Sequence, residues 1–320
     1  MPVFDLPLEG LRRYSGRNPR PKDFDGYWES SLKSLERIEP NLRLDPVEHP
    51  TPIAECFDLT FTGVGGARIY AKYLRPRESD RPHPGVSVFH GYSVASADWF
   101  DLIPYVAQGY SVIAMDCRGQ GGRSEDPGGV RGTTLSGHII RGLGSSPEDL
   151  MYRSVFLDCV QTVRLLMDMP EVDAARIGAT GASQGGGLSL ASAALEPRIK
   201  AVASVYPFLC DYRRVWELDL AENAYGELRQ YLRHFDPTHS GVDETFTTLG
   251  YIDVQHLAPR IAAQVLMVTG LMDRICPPST QFAAFNKITS TKDMIIFPDY
   301  EHESIPGVND RILGFFADVL

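Results

Sequence analysis

The 320-residue chain has a deficit of basic residues. Lysine and arginine together number 31, against 41 aspartates and glutamates, so the formal charge is −10 at pH 7. Proteins that bind nucleic acid usually present a basic face that neutralises phosphates. The acidic balance therefore argues against a nucleic-acid partner, and it is compatible with a neutral small molecule as substrate.

Cysteine is also scarce and scattered. The five cysteines, at positions 56, 117, 159, 210 and 276, form no CxxC or CxxH pair. The spacing that structural zinc sites require is therefore missing, and the sequence predicts no metal site. An odd, dispersed set is typical of free thiols in the core of a protein from a reducing compartment.

Long apolar runs are absent. The longest, around residues 261–268, is broken by Gln264 and is far shorter than the roughly 20 residues that a membrane-spanning helix needs. The first seven residues lack the basic and apolar regions of a secretory signal. We therefore expect no membrane contact and a cytoplasmic location.

Motifs for nucleotides and cofactors are missing as well. The triple glycine at 185–187 does not fit the GxGxxG dinucleotide loop, and no GKS or GKT phosphate loop occurs. Neither an HExxH zinc motif nor a carboxylate-rich calcium loop is present. The sequence therefore predicts an activity that needs no cofactor.

What is present is an alternation of short apolar runs with longer amphipathic segments. It predicts a single α/β domain over residues 1–320, with a mostly parallel central sheet flanked by helices. The runs at 57–61 and 69–73 alternate residue by residue, which is typical of half-buried antiparallel strands. Buried strands are predicted at residues 86–89, 112–115, 176–180, 202–206, 265–268 and 294–297. Helices are predicted at residues 23–38 and 148–167, in a segment ending at 195, and from about 310 to 320.

Three segments stand apart from this alternation. Residues 1–50 form an N-terminal extension. The stretch from about 119 to 147 is rich in glycine and serine, and a loop of this length is usually functional or lies at an interface. Residues from about 209 to 257 are helical in pattern and aromatic, and we expect them to form a lid inserted over the sheet.

The strongest chemical signal is the pentapeptide Gly181-Ala182-Ser183-Gln184-Gly185, a GxSxG motif between a predicted strand and a predicted helix. Small neighbours allow a sharp turn that lifts the serine hydroxyl clear of the sheet at the positive end of the helix. A serine nucleophile needs a base to take its proton. In α/β hydrolases the acid and the base follow the serine in chain order, each after a strand. Asp273 and His302 meet this condition, so we predict a catalytic Ser183-His302-Asp273 triad.

Ester chemistry also needs donors for the oxyanion of the tetrahedral intermediate. One is expected from the backbone N–H of Gln184, the residue after the nucleophile. The second is expected from the loop after an early strand, where Gly91 lets the backbone turn and Tyr92 offers its N–H. Gly91 is also predicted to line the substrate pocket, together with Tyr206 and Pro207 at the end of the next strand. Tyr92 is a further candidate for the wall of this pocket.

Three motifs in register resemble those of the acetyl xylan esterase and cephalosporin C deacetylase family, carbohydrate esterase family seven. They are Arg118-Gly119-Gln120, the GxSxG pentapeptide and His302-Glu303. Further blocks at 4–8, 206–209, 270–273 and 277–280 extend the resemblance over nearly the whole chain. Ser93, Val205 and His256 stand where other residues are common in the family, and they bear on the choice of alcohol.

The resemblance implies an α/β-hydrolase fold and an enzyme that removes acetyl groups from xylo-oligosaccharides and from cephalosporins. It implies a metal-independent, cytoplasmic enzyme that forms a homohexamer, with the 119–147 loop at subunit contacts. It carries the triad and oxyanion roles to the residues already named. Two alternatives stay open at this point: a general short-chain carboxylesterase or other small-acyl hydrolase, and a non-catalytic protein with the hydrolase fold.

Overall fold

A central sheet of nine strands organises the computed structural model, which describes residues 4–79, 81–127, 130–132 and 134–320. The strand order is β1-β2-β3-β5-β4-β8-β9-β10-β11, and β6 pairs with β7 in a separate small hairpin. The first three strands pair antiparallel, and β5, β4, β8, β9, β10 and β11 run parallel to one another. The strands are β1 (Arg43–Val47), β2 (Ala54–Thr62), β3 (Arg68–Pro76), β4 (His83–Phe89), β5 (Ser111–Met115), β6 (Glu125–Asp126), β7 (Val130–Arg131), β8 (Val172–Ala182), β9 (Ala201–Val205), β10 (Gln264–Gly270) and β11 (Lys292–Phe297).

Helices cover both faces of this sheet, as the alternating pattern predicted. They are α1 (Leu8–Leu11), α2 (Phe24–Leu35), α3 (Trp99–Ala107), α4 (Met151–Met167), α5 (Gln184–Leu195), α6 (Tyr212–Glu217), α7 (Gly226–Phe235), α8 (Val242–Leu249), α9 (Val254–Leu257), α10 (Pro278–Lys287) and α11 (Val308–Val319). Short 3-10 turns lie at Val64–Gly66, Pro147–Asp149, Asn223–Tyr225, Gly250–Ile252 and Ala258–Arg260.

Alternate residues of the parallel strands enter different hydrophobic clusters. Ile113 and Met115 of β5 join the large cluster that contains α4 and α5. Val112 and Ala114 of the same strand pack instead with α3. Both faces are therefore buried, which is why the parallel strands read as continuous apolar runs without a polar alternation.

The prediction of half-buried antiparallel strands is right for β2 and wrong for β3. Buried and partly buried residues alternate along β2, whereas Ile69, Tyr70 and Ala71 of β3 are all buried. The difference arises because β3 lies inside the sheet between β2 and β5, where α3 also packs against it.

Two of the segments that stand apart in the sequence contact each other, and one of them also packs on α4. In the N-terminal extension, Trp28 of α2 stacks on Phe156 of α4 at 5.8 Å and donates from Nε1 to the Tyr251 carbonyl at 3.0 Å. The 209–257 segment is helical as predicted and holds α6 to α9. The 119–147 stretch carries the β6-β7 hairpin and turns, and its residues 128, 129 and 133 lie outside the described ones.

All five cysteines are free and buried, as their spacing predicted. Across the described residues, no helix combines the length and the apolar character that crossing a membrane requires.

A buried carboxylate fixes the far end of α5, the helix that follows the GxSxG turn. Glu196 at the end of α5 accepts from Arg164 of α4 at 2.8 Å and from Arg198 at 2.7 Å, and its side chain is 3% exposed. Burial by itself would raise the pKa of Glu196, but the hydrogen bonds from the two guanidinium groups outweigh it and lower the pKa to about 2.

Replacing Glu196 by glutamine is expected to destabilise the protein by about 1–3 kcal/mol at pH 7. Because the pKa of the folded carboxyl is depressed from 4.5, its stabilisation is complete above about pH 4.5 and is lost as the pH falls toward 2. Urea unfolding of wild type and Glu196→Gln at pH 7, 5.5, 4 and 3 measures the difference. Glu9→Gln, at an ion pair whose carboxylate is 76% exposed, serves as the control and should change little. If the free energies of unfolding of wild type and Glu196→Gln differ by the same amount at every pH, the lowered pKa of Glu196 is not the source of the stabilisation.

Candidate active site

The C-terminal ends of five parallel strands lie at one edge of the sheet, and the polar residues singled out in the sequence follow them. Tyr92 comes after β4, Ser183 after β8, Tyr206 after β9, Asp273 after β10 and His302 after β11. Open α/β sheets bind ligands at this edge. The topology therefore gathers residues that are up to 210 positions apart in the chain.

Ser183 occupies a strained turn between β8 and α5. Its φ of 58° and ψ of −118° lie outside the regions that residues with a Cβ normally adopt. Three backbone hydrogen bonds hold it there: its N–H donates to Val205 at 2.9 Å, and its carbonyl accepts from Gly187 at 3.1 Å and from Phe208 at 2.9 Å. The Ser183 side chain forms no capping hydrogen bond to α5, so its hydroxyl is left available for chemistry.

Two glycines make this turn possible. A Cβ on Gly181 would lie 2.5 Å from the Phe89 carbonyl oxygen, and one on Gly185 would lie 2.0 Å from the same atom. Either contact is far inside van der Waals range, so any larger residue would push α5 away from β4. The glycines of the GxSxG motif are therefore required by the close approach of helix and strand.

Asp273 and His302 form a hydrogen-bonded pair. His302 Nδ1 lies 2.8 Å from Asp273 Oδ2, and the aspartate is fully buried while the imidazole is partly exposed. Asp273 Oδ1 accepts the N–H groups of Ile275 at 2.9 Å and Cys276 at 2.8 Å, which fix the carboxylate in place. Because Nδ1 faces the carboxylate, Nε2 is the ring nitrogen free to exchange a proton with a hydroxyl.

Cys276 joins this pair to the serine. Its sulfur is within 4.8 Å of donor atoms of both Asp273 and His302. Burial raises the pKa of Cys276, so the thiol stays neutral, although an interaction with the Ser183 side chain acts to lower this pKa. Such a set of donors could hold a metal ion, but both carboxylate oxygens of Asp273 already accept hydrogen bonds. The absence of a metal from the reaction stays a prediction.

Two side chains donate hydrogen bonds to the carbonyl of the peptide that joins Gly91 to Tyr92. His90 Nε2 accepts the Cys117 N–H at 2.9 Å, so the ring proton sits on Nδ1 and is donated to the Gly91 carbonyl at 2.7 Å. Burial lowers the pKa of His90, which keeps this neutral tautomer. Gln184 Nε2 donates to the same carbonyl at 3.2 Å. Since a trans peptide is planar, the Tyr92 N–H points the opposite way.

No acceptor within the described residues takes up the N–H of Tyr92 or that of Gln184. Two free backbone donors beside a nucleophile are what an oxyanion hole requires. These N–H groups follow β4 and Ser183, and their role as oxyanion donors stays a prediction.

A buried network of amides supports this loop from below. The Gln184 side chain accepts from Tyr152 Oη at 2.6 Å and from Gln120 Nε2 at 2.9 Å. Gln120 in turn accepts the Ser93 N–H at 2.9 Å through Oε1. Gln120, Gln184 and Tyr152 are fully buried, so each polar group must find a partner inside the protein.

A buried ion pair anchors the segment that carries Gln120. Arg118 donates from Nε and Nη2 to the two oxygens of Asp158 on α4, both at 2.7 Å, and neither side chain is more than 3% exposed. This bidentate geometry explains why arginine stands two residues before the glutamine in the Arg118-Gly119-Gln120 motif.

Of the residues predicted to form the pocket, Tyr206 lies against His302, and the pocket itself stays a prediction. The Tyr206 ring lies 4.6 Å from the His302 ring, and Tyr206 itself adopts a positive φ of 31°. Pro207 is buried beside Gly186. The Tyr92 ring packs between His138 and Phe208, with centroid distances of 5.0 and 5.5 Å, and its hydroxyl donates to Glu227.

The residues with unusual identities for the family act mainly through the backbone or away from the serine. Val205 accepts the Ser183 N–H through its carbonyl. Ser93 Oγ donates to the Leu135 carbonyl at 2.6 Å. His256 is buried against Phe24, at a ring distance of 5.9 Å.

Several functional partners escaped the sequence reasoning. Cys276, Tyr152, His90 and Glu227 carry no motif signal of their own. His90 alone had a usable cue, because it ends the β4 run directly before Gly91.

Comparison with known proteins places these features in a family context. The family model "Acetyl xylan esterase (AXE1)" matches residues 1–319. Acetyl xylan esterase 1 from Thermoanaerobacterium sp. JW/SL YS485 is 54% identical, with a TM-score of 0.95 over 98% of this chain and 99% of that one. Acetyl xylan esterase from Paenibacillus sp. R4 is 32% identical, with a TM-score of 0.93 over 98% of this chain and 100% of that one.

A curated relative, acetyl esterase Axe7A of Xylanibacter ruminicola, is 27% identical over 288 residues. The match covers 88% of this chain but 63% of that relative, so the chain spans less than two thirds of its length. Together with the observed sheet topology, the matched structures confirm the predicted α/β-hydrolase fold.

Replacing Ser183 by alanine is expected to lower kcat for p-nitrophenyl acetate by on the order of a million-fold, because the nucleophile is lost. The fold should persist, since the three backbone hydrogen bonds of residue 183 remain. Ser192→Ala is the matched control: this serine lies on α5, the helix that follows Ser183, and donates to the Leu188 carbonyl at 2.7 Å. Activity of Ser183→Ala within tenfold of wild type would rule out the assignment.

Proposed function

The chain belongs to the acetyl xylan esterase family, as its motifs predicted, and we propose that it is a serine esterase that removes acetyl groups from acetylated xylo-oligosaccharides. Related small acetate esters, including the acetyl group of cephalosporin C, are further substrates of the same site. One observation carries the proposal. Ser183, which has a strained backbone and a side chain that makes no capping hydrogen bond, lies at the same sheet edge as the hydrogen-bonded pair of His302 and Asp273. Two backbone N–H groups without an acceptor among the described residues, those of Tyr92 and Gln184, lie at this edge as well.

Each step of the reaction has a residue to perform it. Ser183 Oγ attacks the acetyl carbonyl carbon while His302 Nε2 takes the hydroxyl proton. Asp273 holds the imidazole through Nδ1 and stabilises the imidazolium. The carbonyl oxygen becomes an oxyanion that accepts the N–H groups of Tyr92 and Gln184.

Collapse of this intermediate breaks the ester C–O bond, and His302 gives its proton to the leaving sugar hydroxyl. The acetyl group stays on Ser183 as an ester. Water then attacks this acyl-enzyme, with His302 taking its proton as base, and a second oxyanion intermediate releases acetate and the free serine. No step requires a metal or an organic cofactor.

A general short-chain carboxylesterase is the second candidate, since the same triad would hydrolyse longer acyl groups. The Tyr206 ring beside His302 supports specificity for acetyl groups, because a rigid aromatic wall would overlap with the additional methylene groups of a longer acyl chain. A non-catalytic scaffold is disfavoured, because strain at a serine with no capping bond is costly without a chemical use.

Acyl-chain selectivity tests the acetyl reading. We expect kcat/KM for p-nitrophenyl acetate to exceed that for the butyrate by roughly ten- to two-hundred-fold, with longer esters lower still. Tyr206→Ala should narrow this gap by opening the wall, whereas Tyr206→Phe keeps the ring and should preserve it. The measurement is kcat/KM for acetate, propionate, butyrate and octanoate esters in all three proteins. A wild type that prefers butyrate or octanoate would favour the general carboxylesterase.

We also propose that the protein acts in the cytoplasm as a homo-oligomer, a hexamer by its family resemblance. The free, buried cysteines support a reducing compartment. Leu135 of the 119–147 loop is 68% exposed and Phe235 at the end of α7 is 74% exposed. Large apolar side chains that are this exposed support a contact between copies.

The assembly can be weighed directly. Sedimentation or light scattering should give a mass of about six times the 35.5 kDa of the chain. Phe235→Asp, which places a charge on the exposed apolar surface, should shift the mass toward smaller species. If the wild-type protein has the mass of a single chain at assay concentrations, the proposed homo-oligomer is wrong.

A further inference from the structure

A carboxylate is buried in the helical insertion without a cationic partner. Glu227, in the first turn of α7, is 4% exposed. None of the ion pairs formed by the described residues includes it. Glutamate is rarely buried unless it is paired, because removing a charge from water is costly. The hydrogen bonds that Glu227 accepts must therefore offset the cost of burying its carboxylate.

Glu227 accepts hydrogen bonds from two separate loops. One carboxylate oxygen accepts the N–H groups of Ile139 at 2.8 Å and Ile140 at 3.1 Å. The other accepts the Tyr92 hydroxyl, which also accepts the His138 N–H at 3.3 Å. The residue therefore joins α7, the 137–140 loop and the loop after β4 at one point.

Tyr92 is consequently held at both ends. At its backbone, the Gly91 carbonyl of the Gly91–Tyr92 peptide accepts from His90 and Gln184. At its side chain, the hydroxyl is held by Glu227, 135 positions away in the sequence. Phe208 packs edge-on against the ring between these two ends. The contacts on the Gly91 carbonyl orient the planar Gly91–Tyr92 peptide and therefore its N–H. The contact on the hydroxyl fixes the Tyr92 side chain, and through it restrains the backbone to which the ring is attached.

We propose that Glu227 is a positioning residue for ester hydrolysis, which holds the Tyr92 N–H in its oxyanion-binding geometry. This inference rests on the proposed function, in which that N–H stabilises the tetrahedral intermediate. It makes the helical insertion part of the catalytic apparatus, because movement of α7 away from the sheet would release the Tyr92 side chain. Glu227 itself touches neither the substrate nor the reacting atoms.

The effect should appear in kcat and not in KM, since an oxyanion donor acts mainly in the transition state. Complete loss of one such donor lowers kcat by about 10²- to 10³-fold, so misplacement should cost less. We expect Glu227→Ala and Tyr92→Phe each to lower kcat for p-nitrophenyl acetate by roughly 10- to 100-fold, with KM within about threefold. Glu227→Gln, which keeps an oxygen for the loop amides, should recover part of the loss.

The double variant Tyr92→Phe/Glu227→Gln tests whether the two residues act as one unit. Its kcat should be no lower than that of the worse single variant, because each change breaks the same hydrogen bond. Tyr73 and Glu171 provide a matched control. This pair shares the tyrosine–glutamate hydrogen bond, with the Tyr73 hydroxyl 2.7 Å from Glu171, although Glu171 also forms an ion pair with Arg75. Glu171 directly precedes β8, at the opposite edge of the sheet from Ser183. Tyr73→Phe and Glu171→Gln should lower thermal stability and leave kcat unchanged.

Different results would contradict the positioning role of Glu227 and the proposed esterase activity. If Ser183→Ala is inactive while folded Glu227→Gln, Glu227→Ala and Tyr92→Phe all keep wild-type kcat, the positioning role is wrong and the esterase assignment stands. Losses confined to KM, or additive losses in the double variant, would also overturn the role. If Ser183→Ala retains activity, the proposed function fails first. Tyr92→Phe keeps the carboxylate and its two amide donors, so the test survives even if Glu227→Ala does not fold.

Discussion

The close approach of α5 to the end of β4 is the constraint on which the rest of the site depends. The Phe89 carbonyl oxygen lies where a Cβ on Gly181 or Gly185 would have to be, so helix and strand meet with no side chain between them. The chain can make this contact only by turning sharply at Ser183, with a φ that a serine rarely adopts. The strain is held by backbone hydrogen bonds of Ser183 to Val205, Gly187 and Phe208, and the result is a hydroxyl raised above the sheet edge.

The same contact explains why so many polar groups are buried under the site. Bringing α5 against β4 places the Gln184 amide beneath the Gly91 carbonyl, where it must be satisfied by Gln120 and Tyr152. A satisfied network in a low-dielectric interior is rigid, and a rigid loop keeps its N–H groups oriented before the substrate arrives. Preorganisation of this kind is the physical basis for stabilising an oxyanion at low cost.

The sequence was informative wherever chemistry is tied to a strand end. The strands themselves are short apolar runs, so the order of Ser183, Asp273 and His302 after three of them could be recognised without a structure. The GxSxG spacing likewise encodes a local turn, and its glycines allow the close approach of the turn and of α5 to the Phe89 carbonyl. The GxSxG turn and the α/β architecture were predictable for this reason.

The supporting residues could not be predicted, because their roles are set by partners far away in the chain. Glu227 is one of 41 acidic residues, and nothing near it in sequence marks it as buried or as a partner of Tyr92. Cys276 reads as an ordinary core thiol until the fold brings it beside Ser183. The burial of β3 was misjudged for the same reason, since its position inside the sheet is a property of the topology and not of its own sequence.

The most direct measurement of the central claim is a crystal structure of the protein after reaction with diethyl p-nitrophenyl phosphate, whose phosphoryl adduct mimics the tetrahedral intermediate. We expect phosphorus bonded to Ser183 Oγ, with the phosphoryl oxygen about 3 Å from the backbone nitrogens of both Tyr92 and Gln184. An adduct on another residue, or a phosphoryl oxygen turned away from both nitrogens, would contradict it.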